Sequence, residues 1–209
     1  MFIKICGITS EEDALLAVAL GADAIGFVFA PSPRQIAPTK ALDIVKRLPS
    51  DVITVGVFRD EHPKRVLEIA RASRLKGVQL HGNEPLDAVR LVTQEVRFAI
   101  KAVVAGSDAA RRADEFGTDA VLVDNARPGS GEAFDWSLLD ELPKGLRLML
   151  SGGLSPDNVR GAILSTQPWG VDVSSGVERS PGVKDAVKMR QFITAARDAQ
   201  AVLGDDLID

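Results

Sequence analysis

The chain has 209 residues, 45% hydrophobic and 26% charged, enough for one large core. A net charge of −4, a pI near 5.3, no basic run and no tyrosine argue against a nucleic-acid surface. One cysteine cannot close an internal disulfide, and no apolar run approaches a membrane span, so a cytoplasmic protein without membrane contact is expected.

Strand-like and helix-like segments alternate from end to end. Residues 2–6 read as the first strand and begin directly after Met1, without a signal-peptide pattern. Thr9, Ser10, Glu11 and Glu12 start a helix whose buried side carries Ala14, Leu15, Val18 and Leu20. Further strands are expected at 24–29, 52–58, 77–81, 97–103 and 120–124. Helices follow them at about 40–47, 62–72, 85–93 and 107–116. A longer loop then leads to a short helix near 136–139. Residues 146–150 form the seventh strand, which Ser151, Gly152 and Gly153 break. Ser155 is the expected N-cap of the next helix, with Pro156 at its first position. Residues 170–173 form the eighth strand and run into Ser174, Ser175 and Gly176. A final helix covers about 183–197, and 203–209 reads as a frayed tail. Eight such units, with no linker or composition shift, predict a single α/β domain over 1–209, a (β/α)8 TIM barrel. A doubly wound open sheet is the alternative.

Residues i and i+2 share a face of a strand. Ile3 and Ile5, Val78 and Leu80, Val121 and Val123, and Val171 and Val173 make aliphatic faces suited to a helix layer. The opposite faces carry Lys4, Cys6, Gln79, His81, Asp124, Asp172 and Ser174, which would point at the barrel axis. Several of these end their strands, where barrel active sites are built. Lys4 and Asp172 become neighbours only if the sheet closes, and a buried ammonium needs a partner, so the two are expected to pair.

Glycine and serine at two successive strand ends leave backbone N–H groups free to face outward, as a phosphate requires. Gly152, Gly153, Ser174, Ser175 and Gly176 are therefore candidates for a phosphate site, although two tight turns without a ligand would look the same. Cys6 is either a small core residue or, on the polar face before Gly7, a thiolate able to take a proton from carbon. Lys4 would favour that thiolate or serve as a structural ion pair. Asp124 is either an acid or a loop cap. Arg34 lies on a loop stiffened by Pro31 and Pro33, where it suits a carboxylate or is a solvated surface residue. His81 is a ligand contact or a satisfied structural histidine. Two histidines and one distant cysteine make no metal-ligand spacing, and neither a P-loop nor a dinucleotide fingerprint occurs.

Together these residues resemble one family. Lys4-Ile5-Cys6-Gly7-Ile8-Thr9, Ser32-Pro33-Arg34, Val78-Gln79-Leu80-His81-Gly82 and Leu122-Val123-Asp124 carry the likeness in the first two thirds of the chain. Phe134-Asp135-Trp136, Leu150-Ser151-Gly152-Gly153-Leu154 and Asp172-Val173-Ser174-Ser175-Gly176-Val177-Glu178 continue it. In order and spacing they are similar to phosphoribosylanthranilate isomerase, a (β/α)8 barrel of tryptophan biosynthesis. One departure is the stretch 126–133, where the family often has a longer glycine-rich loop. The resemblance implies an Amadori rearrangement of N-(5-phosphoribosyl)anthranilate to 1-(2-carboxyphenylamino)-1-deoxyribulose 5-phosphate. It implies Asp124 as general acid, Cys6 as general base and Arg34 on the anthranilate carboxylate. Gly152, Gly153, Ser174, Ser175 and Gly176 would hold the phosphate, and His81 and Asp172 would line the pocket. It also implies a small phosphorylated substrate and no cofactor; no obligate protein partner is evident in the sequence. A ribulose-phosphate epimerase or indole-glycerol-phosphate synthase would share the phosphate loops. An epimerase is expected to show metal ligands, and a synthase a catalytic lysine with a glutamate. A non-catalytic sugar-phosphate sensor would not need Cys6, Asp124 and Arg34 together.

Overall fold

Short apolar runs, each stopped by glycine, proline or a polar cluster, form strands too short to stand alone and must pair edge to edge. In the computed structural model, which describes residues 1–125 and 135–205, eight parallel strands close into a barrel in sequence order. They are β1 (Phe2–Ile5), β2 (Ala24–Val28), β3 (Ile53–Phe58), β4 (Gly77–Leu80), β5 (Ala99–Val104), β6 (Ala120–Asp124), β7 (Leu148–Leu150) and β8 (Gly170–Val173). Helices α1 (Glu11–Ala19), α2 (Pro38–Val45), α3 (Pro63–Ala72), α4 (Leu86–Glu95), α5 (Asp108–Arg111), α6 (Val159–Thr166) and α7 (Ala186–Asp205) surround it. Closure is made by β1 against β8, with Ile3 beside Val171 and Lys4 beside Asp172. That pairing decides for the barrel over the open sheet. No described helix is long and apolar enough to cross a membrane.

Side-chain parity follows the expected pattern. Ile3, Ile5, Val171 and Val173 pack in one cluster with Ala14, Ala17, Phe192 and Ala196 of α1 and α7. Val78 and Leu80 meet α3 and α4, and Val121 and Val123 meet Ala110 and Ala113. The opposite faces of β2, β3, β5, β6 and β7 meet one another through Ala24, Val55, Ile100, Ala102, Leu122 and Met149. Only the barrel interior lets these strands touch. Phe2, Phe98 and Trp169 stack beneath them, with Phe2 and Trp169 ring centroids 4.6 Å apart. The interior is thus apolar at the N-terminal end and polar toward the other mouth.

Four local expectations are corrected. Residues 107–116 are not one helix: α5 stops at Arg111 and a 3-10 helix covers Ala113–Phe116. The tighter turn places residues three apart on one side, so Ala110, Ala113 and Phe116 all reach β5 and β6. Ser155 is not the cap of α6. Asn158 is, and its side chain reaches back to Ser155 N at 2.8 Å and Gly153 O at 2.8 Å. Ser155 instead opens the turn that leads into the helix, its Oγ accepting from Asp157 N at 3.3 Å and its carbonyl from Val159 N at 3.1 Å. Residues 183 and 184 belong to an antiparallel hairpin, β9 (Glu178–Ser180) and β10 (Val183–Lys184), and α7 begins after it. Pro181 and Gly182 make its turn, Gly182 at φ +80. Finally, α7 continues through Asp205, because Ala199 and Leu203 pack on the core. Residues 206–209, the rest of the expected tail, lie outside the described residues, as does the loop 126–134. The short helix after that loop is a 3-10 helix, Trp136–Glu141, with Asp135 accepting from Ser137 N at 3.0 Å.

Candidate active site

Strand geometry brings the polar ends of β1, β4, β6, β7 and β8 to one mouth. A cleft there is lined by Cys6, His81, Asp124, Asp172, Ser174 and Ser175. Arg34, Gln79, Ser151, Gly152 and Gly153 complete its polar wall. Of the sequence candidates, only Gly176 stands back from the lining. Its backbone presses against Leu154, where a Cβ would come within 1.9 Å of the Leu154 carbonyl oxygen. Among the described residues no group of three or more His, Cys, Asp and Glu could hold a metal ion.

Cys6 extends the β1 ladder, its N–H donating to Val173 O at 2.9 Å. Gly7 then turns the chain at φ +74. A Cβ on Gly7 would fall 2.6 Å from Arg34 Cδ and 2.8 Å from Ser174 Oγ, so glycine lets the arginine lie across the turn. Gly26 on β2 makes similar room: a Cβ there would stand 2.8 Å from Cys6 Sγ and 3.1 Å from Lys4 Nζ. Cys6 is 7% exposed, and burial pushes its thiol up, against the nearby positive charge of Lys4 and Lys184. Lys4 does favour the thiolate, as one of its two expected roles has it, but not enough to offset burial. In the closed cleft, desolvation of the thiolate outweighs the cations.

Lys4 lies one layer deeper, fully buried, its Nζ 2.8 Å from Asp172 Oδ1. Burial would pull its ammonium down, but Asp172 and Cys6 outweigh burial and hold it above the usual lysine value. Ser151 Oγ stands 3.4 Å from the second Asp172 oxygen, so three strand ends share one polar contact.

Asp124 closes β6, three strands around the ring from β1. One carboxylate oxygen accepts from Asn125 N at 2.8 Å, and the other stands 3.4 Å from His81 Nε2. Gln79 Nε2 lies 2.8 Å from His81 Nδ1. With the amide donating there, the imidazole carries its proton on Nε2, facing Asp124. Gln79 Oε1 and Ser174 Oγ are buried without a hydrogen-bond partner among the described residues. Both belong to cleft-lining residues, as groups awaiting a polar ligand would. Gly152 and Gly153 both have positive φ, +75 and +70, so consecutive amides form a concave turn beside Ser174 and Ser175.

Arg34 reaches the cleft from the loop after β2, and Glu178 grips it on two bonds, Nε at 2.9 Å and Nη2 at 2.8 Å. Glu178 also accepts from Lys184 Nζ at 3.0 Å. Sequence reasoning missed both partners. Glu178 stood in a quoted motif without a role, and Lys184 was read into a helix. Ser180-Pro181-Gly182 was the available signal, a turn dipeptide that brings 178 and 184 side by side.

Known proteins resemble this chain along most of its length. The sequence model of the family described as N-(5'phosphoribosyl)anthranilate (PRA) isomerase matches residues 3–195. The chain is 46% identical over 204 residues to N-(5'-phosphoribosyl)anthranilate isomerase of Desulforudis audaxviator, covering 94% of this chain and 98% of the relative. It is similar to the crystal structure of phosphoribosyl anthranilate isomerase from Thermus thermophilus, with a TM-score of 0.89, 43% identity, and coverage of 95% and 99%. A second phosphoribosyl anthranilate isomerase, solved with reduced 1-(o-carboxyphenylamino)-1-deoxyribulose 5-phosphate, matches with a TM-score of 0.84, 43% identity and the same coverage. A barrel with its polar mouth built from these strand ends, matched along nearly its whole length at this identity, belongs to the phosphoribosylanthranilate isomerase family, the isomerases of tryptophan biosynthesis.

Proposed function

We propose that Asp124 and Cys6 carry the family's Amadori rearrangement in this chain, as general acid and general base. The reading is carried by one observation: both line the same cleft as the glycine-serine turns of β7 and β8. The phosphate of N-(5-phosphoribosyl)anthranilate sits on Gly152, Gly153, Ser174 and Ser175, with Gly176 shaping the turn behind them. Arg34 holds the anthranilate carboxylate, and His81 and Asp172 line the pocket. Asp124 donates a proton to the furanose ring oxygen, and the ring C–O bond opens to a protonated Schiff base. Cys6 acts in its thiolate form, which burial makes the minor form; it removes the C2′ proton, and the C–H electron pair moves into the C1′–C2′ bond to give an enolamine. The enolamine takes a proton at C1′ and loses one from the C2′ hydroxyl, giving the ketone. The substrate's own nitrogen serves as electron sink, so the scheme uses no cofactor. In this reading the protein is a single cytoplasmic barrel domain acting on a small phosphorylated molecule without an obligate protein partner.

The test is the fluorescence of freshly made phosphoribosylanthranilate, which decays faster with the protein than without it. Asp124→Asn keeps shape and hydrogen bonding but cannot deliver the proton, so kcat falls by about 10²–10⁴ with KM little changed. A variant with near-parental kcat removes Asp124 from the mechanism.

A further inference from the structure

Behind Arg34 lies a buried charge cluster that the acid–base scheme does not use. Glu178 occupies the Nε and Nη2 positions of the guanidinium, so Nη1 is not engaged by Glu178, and Arg34 lines the cleft. A neutral Arg34–Glu178 pair would be a poor partner for a substrate carboxylate, because the attached carboxylate cancels the charge that recognition requires. Lys184 changes that balance. Its Nζ stands 3.0 Å from Glu178 Oε1 and donates to Ser174 O at 3.1 Å. The Lys184 side chain is fully buried and the Glu178 side chain is 5% exposed, whereas that of Arg34 is 14% exposed on the cleft side. Burial pulls the Lys184 ammonium below the ordinary lysine value, and the Glu178 carboxylate at 3.0 Å works against that. With Lys184 protonated against ionised Glu178, the three side chains carry one net positive charge, and the exposed member is the arginine.

The hairpin that brings Glu178 and Lys184 together is tied down on three sides. Thr9 Oγ1 donates to Gly182 O at 2.5 Å, and Lys184 N donates to Asp13 Oδ2 at 3.1 Å. A Cβ on Gly182 would sit 3.1 Å from Pro33 O, so the turn lies directly on the loop that carries Arg34. Burial would raise the Glu178 carboxyl, but the Arg34 bond and the Lys184 charge hold it below the ordinary glutamate value. Glu178 is therefore ionised, and two cations, Arg34 and Lys184, share it.

We propose that Lys184 is a positioning residue for substrate recognition: it neutralises Glu178, so that Glu178 can fix Arg34 in place while Arg34 keeps its charge for the substrate carboxylate. This rests on the reading of Arg34 as the carboxylate clamp. Lys184 itself touches no substrate in this arrangement. Its Ser174 contact also links the carboxylate corner to the phosphate turn.

The experiment compares two ligands by calorimetry: reduced 1-(o-carboxyphenylamino)-1-deoxyribulose 5-phosphate and the same compound without the carboxyl group. The readout is the ratio of their Kd values, which a general loss of folded protein does not move. Arg34→Ala lowers the preference for the carboxylate ligand, and Lys184→Met lowers it by about tenfold or more. The double variant Glu178→Gln/Lys184→Met again carries one net positive charge, keeps an acceptor for Arg34, and returns the preference to within about threefold of the parent. If Lys184→Met does not fold, Glu178→Gln alone gives the test with opposite sign, raising the preference. An Arg34→Ala effect without a Lys184→Met effect, a double variant no better than Lys184→Met, or a Glu178→Gln preference at or below the parent overturns the proposal. No loss in Arg34→Ala overturns the clamp reading itself, and the proposal with it.

Discussion

Lys4→Met should cost this barrel more than any surface charge does. Lys4 is fully buried and its ammonium meets Asp172 at 2.8 Å, across the β1–β8 seam that closes the sheet. Methionine fills similar volume, so packing changes little. What remains is an Asp172 carboxylate at 5% exposure with Ser151 at 3.4 Å as its other side-chain contact. Removing one partner of such a pair typically costs about 3–5 kcal/mol. For a chain of this size each kcal/mol moves Tm by about 2–4 °C, so a loss of about 6–20 °C is expected. Lys4 holds its proton more tightly folded than unfolded. Its contribution is therefore intact at neutral pH and is lost only as alkali passes through its folded value. Scanning calorimetry and urea unfolding measure the change. Lys4→Met/Asp172→Asn, which removes both charges and keeps a polar contact for Ser151, should recover at least half of it. A Lys4→Met midpoint within about 1 kcal/mol of the parent, the value of an exposed pair, would refute the argument.

As the sole thiol, Cys6 should take one equivalent of an alkylating agent with loss of activity, and a phosphorylated product analogue should slow the labelling. Because burial raises its thiol, the labelling rate should keep climbing with pH through the ordinary thiol range instead of levelling there. Full activity after stoichiometric labelling would remove Cys6 from the mechanism. Gly7→Ala places a Cβ 2.6 Å from Arg34 Cδ at φ +74. A cost of about 1–3 kcal/mol is expected from the backbone alone, with KM rising as Arg34 shifts. An unchanged KM would show that Arg34 does not need its path across Gly7.

The order of strands and helices was legible because each strand pairs with its sequence neighbour, so local pattern and topology coincide. The alternation of Ile3 and Ile5 with Lys4 and Cys6 assigned the faces, since parity in a strand is a local property. The same alternation at β4, β6 and β8 brought His81, Asp124, Asp172 and Ser174 to one mouth. Barrel closure itself was not local. It depends on β1 meeting β8, strands 168 residues apart at Lys4 and Asp172. Nor was the thiol's environment: the same residues beside Cys6 fit an activated or a suppressed thiol, and only depth of burial decides between them. The partners of Arg34 were hidden for a similar reason. Glu178 is 144 residues from Arg34, and it meets Lys184 only because Pro181 and Gly182 turn the chain back. Sequence periodicity determined which side of each strand is polar. Tertiary structure decided which polar groups neutralise one another, because charge balance is set by distance and desolvation in three dimensions and leaves no period in the chain.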